Sequence, residues 1–350
     1  MLTVAALLRL LDAPQPLTAE GLPVDPLLVV DLATADDRVR AETLDAGLGM
    51  LPQVTVGVLP SAPSPQALLL AQACTFTLRQ ASGQRSAPGA RGRRACVVVA
   101  DVDAELAAVE RSIQHAPVAA VSLHRLLRLQ ARSTVPDGLV AESAVYSTLL
   151  AGPEFARWLA GRPPRRPAGT GEPLDVTAEA GVLRITLSRP ARRNAYSAAM
   201  REALTDALSV AAADPSLRVE LRGRGPDFCA GGDLDEFGTA LDPARAHVLR
   251  TARSAGLALH RLAARTTAYL QGNCIGAGIE LPAFADRVLA RDDTLIRLPE
   301  LAMGLVPGAG GTVSVTRRIG RWRTAWLALT GAPLTVRTAL SWGLVDEVVP

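Results

Sequence analysis

Hydrophobic and polar positions divide the chain into two stretches of different rhythm. In the first, short apolar runs at residues 26–32 and 95–100 alternate with segments at 104–115 and 141–150 whose apolar residues recur every three to four positions. The runs predict strands and the recurrences predict helices. In the second stretch, residues 182–187 alternate apolar and polar as a strand does. Ser197 then stands as N-cap of a helix carried by Met200, Leu204 and Leu208. A strand at 219–221, a loop at 222–232 and a long helix opened by Asp242 and Pro243 follow. Strands at 267–270 and 294–298, a short helix from Ala277 and a helix after Gly311 complete a strand-strand-helix rhythm, which is not the regular alternation of a doubly wound sheet. The fold class expected is α/β.

Between the two stretches, residues 161–173 are rich in Pro, Gly and Arg and offer no apolar face. A linker is expected there, between an N-terminal α/β domain at 1–160 and a C-terminal domain at 174–350. Residues 82–94 read as a solvated loop or an anion-binding patch. Residues 104–121, taken as a helix running into a small-residue strand, resemble 255–275, which suggests a degenerate internal duplication.

Composition narrows the function. Hydrophobic residues make up 49% of the 350 and charged residues 20%, enough apolar material for a core and too much for general disorder. The net charge of +3 comes from arginine alone, since the chain has no lysine, and aromatics at 3% argue against a base-stacking, nucleic-acid-binding surface. No apolar run is long enough for a membrane helix and no signal peptide opens the chain, so a cytoplasmic location is the default expectation. Cys74, Cys96, Cys229 and Cys274 lack metal or disulfide spacing, and the four histidines form no ligand motif. No metal is expected.

Three glycine-rich segments carry the candidate chemistry: 228–234, 272–281 and 298–312. Each places small residues where a strand gives way to a helix, leaving backbone N–H groups bare, an arrangement suited to an oxyanion such as a thioester enolate. Any one of them could be only a tight turn. Two carboxylates raise the joint reading: Glu280 in the first turn of a short helix and Glu300 after Pro299 at a strand end. The first stretch shows neither a phosphate-binding glycine loop nor a convergent set of carboxylates, histidines or nucleophiles.

Residues 182–350 resemble the enoyl-CoA hydratase/isomerase, or crotonase, superfamily. The resemblance rests on Ser188-Arg189-Pro190 with Asn194-Ala195, the Phe-Cys-Ala-Gly-Gly-Asp-Leu run at 228–234, and Gly-Ala-Gly-Ile-Glu-Leu at 276–281. It continues in Pro299-Glu300 followed by Gly-Leu-Val-Pro-Gly-Ala-Gly-Gly-Thr at 304–312, and in Trp342 to Val349. It implies a crotonase-like β-β-α spiral core in the C-terminal domain, so that the smaller first domain could be a degenerate crotonase-like repeat. It also implies oxyanion-hole amides at Gly232 and Ala277, where the family usually has glycine at the second position. Ala230, Asp233 and Leu234 would line the path of CoA together with the two amide residues. Glu280 and Glu300 fall at both catalytic glutamate positions, and Gly308 would help hold a water. The activity implied is hydration or dehydration of a 2-enoyl-CoA, with enoyl-CoA isomerisation or a tailoring reaction of secondary metabolism as the second reading. A non-catalytic acyl-CoA-binding or scaffold subunit is the third.

The implied partner is an acyl-CoA substrate, with no nucleic acid and no membrane, and the implied assembly is a homo-oligomer. No cofactor beyond the CoA of the substrate is called for. Family members continue for several helices after the segment corresponding to 342–349, and those helices cover the CoA end; here residues 1–165 are expected to supply that cover. Tyr196, where the family commonly has leucine, either offers a hydroxyl to substrate or simply packs. Phe237, Tyr269 and Trp326 are expected to set the width of the acyl pocket.

Overall fold

The computed structural model describes residues 1–13, 16–81, 94–165, 171–240 and 242–350. The chain begins with β1 (Leu2–Thr3), α1 (Val4–Leu11), β2 (Leu27–Asp31), α2 (Ala41–Met50), β3 (Val54–Val58), α3 (Pro65–Ala71), β4 (Phe76–Gln80) and β5 (Cys96–Val99). These strands form one parallel sheet in the order β1-β2-β3-β4-β5. The loop expected over 82–94 falls outside the described residues as far as 93.

Four helices follow: α4 (Val102–His115), α5 (Pro117–Gln130), α6 (Val135–Leu150) and α7 (Pro153–Ala160). Here the structure corrects the sequence reading, because residues 117–121 open a helix rather than a strand. Pro117 takes the first helical position, where its missing N–H costs nothing. Ala116 offers no side-chain cap, and Glu154 of α7 accepts instead from the N–H groups of Val118 and Ala119, at 2.8 and 3.0 Å. The likeness of 104–121 to 255–275 therefore does not extend to secondary structure.

The remaining chain comprises β6 (Leu174–Glu179), β7 (Val182–Leu187), α8 (Ala198–Ala213), β8 (Arg218–Gly223), α9 (Pro243–Ala252), α10 (Ala255–Arg261), β9 (Thr266–Leu270), β10 (Asn273–Ile275) and α11 (Ala277–Glu280). Then come β11 (Arg287–Arg291), β12 (Leu295–Arg297), α12 (Gly311–Thr330), β13 (Leu334–Thr335), α13 (Val336–Trp342) and β14 (Glu347–Val349). Six strands form a sheet in the order β14-β11-β9-β8-β7-β6, parallel except for the β6–β7 hairpin, and β10-β12-β13 form a second. Successive strands β9 and β10, and again β11 and β12, belong to different sheets, so the chain winds as a spiral of strand pairs and helices. The long helix opened by Asp242 is ten residues, because Ser254 restarts the chain as cap of α10.

Register places one row of side chains inward: Leu183 beside Val219, Ile185 beside Leu221, Leu221 beside Ala268 and Ala268 beside Val288. This row belongs to a single hydrophobic cluster that runs from Val54 and Phe76 through Leu123 and Phe155 to Val345. Helices α4–α7 and the spiral thus share a core. Arg162 and Arg165, within the expected linker, reach Asp235 at 3.4 Å and Phe237 O at 3.1 Å; residues 166–170 lie outside the described ones. Among the described residues no helix is long and apolar enough to cross a membrane.

Candidate active site

The site is built where the strand ends of the spiral turn into helices. Gly276 ends β10 with φ of +51°, a conformation closed to side chains, and Ala277 then starts α11. The positive φ falls on Gly276, so alanine at 277 is tolerated and its N–H remains available. The other turn is held by Asn194, itself at φ +54° and fully buried. Its side-chain amide donates to the carbonyls of Arg224, Asp227 and Phe228, and its oxygen accepts from Arg189 N–H. That clamp fixes the 228–234 loop, and main-chain hydrogen bonds from Cys229 N–H to Asn273 O at 3.1 Å and from Ile275 N–H to Cys229 O at 3.0 Å bring the loop against β10. No hydrogen bond among the described residues uses the N–H of Gly232 or of Ala277. Both line one cavity of about 970 Å³, together with Ala230, Asp233, Leu234, Glu280, Glu300 and Gly308. The structure thus brings the expected amide, glutamate, water-holding and CoA-lining residues to one cavity.

The two glutamates differ in their surroundings. Glu280 is 2% exposed and its Oε2 accepts from Ala309 N–H at 2.8 Å and Gly311 N–H at 2.9 Å. Glu300 is also buried, and its Oε2 has no hydrogen-bond partner. The other oxygens flank one point: a Cβ placed on Gly276 would lie 2.6 Å from Glu300 Oε1 and 3.6 Å from Glu280 Oε1. Burial pushes both carboxyls above their ordinary range. The two amide donors oppose this at Glu280, whereas at Glu300 the neighbouring Glu280 charge adds to it. Both shifts favour the protonated acid, more strongly at Glu300 than at Glu280, and the two carboxyls stand on either side of a gap next to a bare amide.

A third carboxylate comes from the half that seemed to carry no chemistry. Glu142, on α6, is 2% exposed. Its Oε1 accepts from Gly310 N–H at 2.6 Å, and its Oε2 from Thr312 N–H at 2.9 Å and the Thr312 hydroxyl at 2.6 Å. Four consecutive N–H groups at the start of α12 therefore alternate between Glu280 (309 and 311) and Glu142 (310 and 312). Burial first, and then the Glu280 charge, pushes the Glu142 carboxyl up. One turn further along α6, the Tyr146 ring abuts Gly308, where a Cβ would come within 2.5 Å of it. Gly308 N–H, like those of Gly232 and Ala277, has no acceptor among the described residues. The periodicity of 141–150 marks a helix, but nothing in it marks Glu142, whose partners lie about 170 residues away.

Helices α6 and α7 supply one wall of the cavity with Leu139, Glu142, Tyr146, Phe155 and Trp158. Phe155, Trp158 and Phe237 form an aromatic cluster with ring centroids 5.6 to 6.5 Å apart, and Arg162 lies over Trp158. Asp233 does not present a free carboxylate: Arg189 and Arg192 each pair with it at 2.9 Å. Tyr196 lines the cavity, as does Phe237. Tyr269 and Trp326 do not. Tyr269 lies on the outward side of β9 under Arg222, 3.7 Å from its ring, and Trp326 packs on Trp342 and donates to Glu105.

Residues 177–350 match the family described as enoyl-CoA hydratase/isomerase. The chain is 35% identical to 2,3-dehydroadipyl-CoA hydratase of Escherichia coli over 178 residues, which are 51% of this chain and 69% of that protein. It is 35% identical to an enoyl-CoA isomerase/hydratase of Mycosarcoma maydis over 187 residues, 50% of this chain and 68% of that one. A mevalonyl-coenzyme A hydratase of Beauveria bassiana is likewise 35% identical, across 48% of this chain and 64% of its own. With its bare amides, its paired glutamates and these relatives, the chain belongs to the enoyl-CoA hydratase/isomerase family.

Proposed function

We propose that the protein hydrates the double bond of a 2-enoyl-CoA, and catalyses the reverse dehydration. The observation that carries this reading is the unequal pair of acids: Glu280 held by two amide donors, and Glu300 buried with one oxygen unpartnered, both facing the gap beside Ala277. In this reading the thioester carbonyl accepts from Gly232 and Ala277 N–H, and the CoA moiety runs past Ala230, Asp233 and Leu234. Glu280, ionised, takes a proton from water lodged against Gly308 N–H as the water oxygen bonds to C3. The electron pair of the double bond passes to the thioester oxygen, giving an enolate that the two amides stabilise. Glu300, protonated, delivers its proton to C2. The electrophile is the hydrogen-bonded thioester itself, so the reading calls on no metal, flavin or nicotinamide. The reactions named for the relatives support it, since each is a hydratase or an isomerase/hydratase.

A panel of 2-enoyl-CoA and 3-enoyl-CoA esters tests it, with loss of the conjugated-enone absorbance as the signal for hydration. Glu280→Gln and Glu300→Gln are each expected to lower kcat by roughly two to four powers of ten. Turnover unchanged in both variants, or turnover confined to moving a 3-enoyl double bond, overturns the hydratase reading.

A further inference from the structure

Past the glutamates the cavity reaches α9 and the α6 residues that face it, and here lies a guanidinium with no acid in direct contact among the described residues. Arg250 lines the cavity. Its Nε donates to the Ser143 hydroxyl at 3.2 Å, and its Nη2 to Ser143 O at 3.4 Å and to the Ser147 hydroxyl. Among the described residues Arg250 makes no ion pair, and its Nη1 has no acceptor. Of the other arginines lining the cavity, Arg201 pairs with Glu202 at 2.9 Å, Arg253 with Glu202 at 2.6 Å and Asp206 at 2.5 Å, and Arg162 with Asp235, while Arg157 donates to His115 O at 3.0 Å. Tyr146 separates Arg250 from the glutamate turn, with the guanidinium 5.0 Å from its ring centroid and Gly308 against the same ring. On the α9 side His247 Nδ1 lies 3.0 Å from the Ser143 hydroxyl.

A partly buried guanidinium without a counter-ion is costly, and its planar fork fits a carboxylate. We propose that the acyl chain ends in a carboxylate which pairs with Arg250, making the substrate the 2-enoyl thioester of a dicarboxylic acid. This rests on the hydratase reading for the direction of the chain: with CoA on the Asp233 and Leu234 side of the oxyanion amides, the acyl tail runs towards Tyr146 and Arg250.

The test compares two 2-enoyl-CoA esters of equal chain length, one ending in methyl and one in carboxylate, on the full-length enzyme and on Arg250→Met. The native enzyme is expected to favour the acid-ended ester at least tenfold in kcat/KM. Arg250→Met is expected to lose about a hundredfold on that ester, as for one partner of a desolvated charge pair, while staying within about threefold on the methyl ester. Preference for the methyl ester, or an equal loss on both esters, overturns the proposal; equal loss is what a mere helix clamp or a counter-charge to the glutamates would give. Thermal stabilisation by the two saturated esters reads binding apart from turnover. Stronger stabilisation by the acid-ended ester, abolished in Arg250→Met, sustains the tail site even where no hydration is seen, and that combination refutes the hydratase reading alone.

Discussion

Replacing Glu142 by glutamine tests whether α6 takes part in the chemistry or only covers it. A carboxylate accepts from all three of its donors, Gly310 N–H, Thr312 N–H and the Thr312 hydroxyl. A glutamine has one acceptor oxygen, so its amino group must face at least one buried N–H. An unpaired buried donor costs about 1–3 kcal/mol, and the turn relieves this by rotating. Rotation of residues 310 and 312 carries 309 and 311 with it, and these hold Glu280. If about half of that cost falls on the placement of Glu280, kcat drops roughly two- to tenfold, at about 1.4 kcal/mol per power of ten. KM stays near the native value, because in this reading Glu142 touches no atom of the ester. Burial and the Glu280 charge push the Glu142 carboxyl up to about 8, above Glu280 at about 7, so the variant removes no charge beside Glu280 where Glu280 titrates. The acid limb of the kcat/KM profile, where Glu280 takes up its proton, is therefore expected to stay where it is in the native enzyme. Steady-state rates across pH measure all three quantities. A stable variant with native kcat refutes the reasoning, as does a rise in KM alone.

For the native enzyme, pH dependence follows from the two raised carboxyls. Activity should fall on the acid side as Glu280 takes up a proton, at a pH above the ordinary glutamate range, and on the alkaline side as Glu300 loses its own; in Glu300→Gln the surviving activity should show no alkaline limb from that group. Gly276→Ala should be inactive and destabilised by about 1–3 kcal/mol, because alanine is strained at φ +51° and its methyl would lie 2.6 Å from Glu300 Oε1; native melting temperature and rate in this variant would show that the turn is misjudged. Removing residues 1–165 should give insoluble or inactive protein, since they supply the α6–α7 wall and part of the shared core; a soluble, fully active fragment, assayed for hydration after gel filtration, would contradict this.

What the sequence disclosed depends on how locally each feature is determined. Caps at Ser197 and Asp242 could be read because an N-cap bonds only to residues two or three ahead, and both side chains do so. The bare-amide turns could be read because glycine is required within the turn itself, as at Gly276. Helix α5 was misread from its small residues, whose strand-like look ended at Val121, while its amide partner Glu154 lies in α7. Tyr269 and Trp326 were misplaced because which side of a strand or helix faces a cavity is fixed by tertiary packing. Glu142 was invisible for the same reason: on α6 it is one acid among helical residues, and it acquires meaning only against Gly310 and Thr312.

The interleaving of amides 309–312 between two acids also sets an order of events during synthesis. The helix bearing Glu142 leaves the ribosome well before the turn that satisfies it, so its carboxylate is without these donors until about 170 further residues have emerged. Only when α12 docks do both acids lose water and gain their donors together. The contact that seats α12 thus also completes the surroundings of both acids, and a chain lacking the 309–312 turn lacks the donors of Glu142 and Glu280 alike.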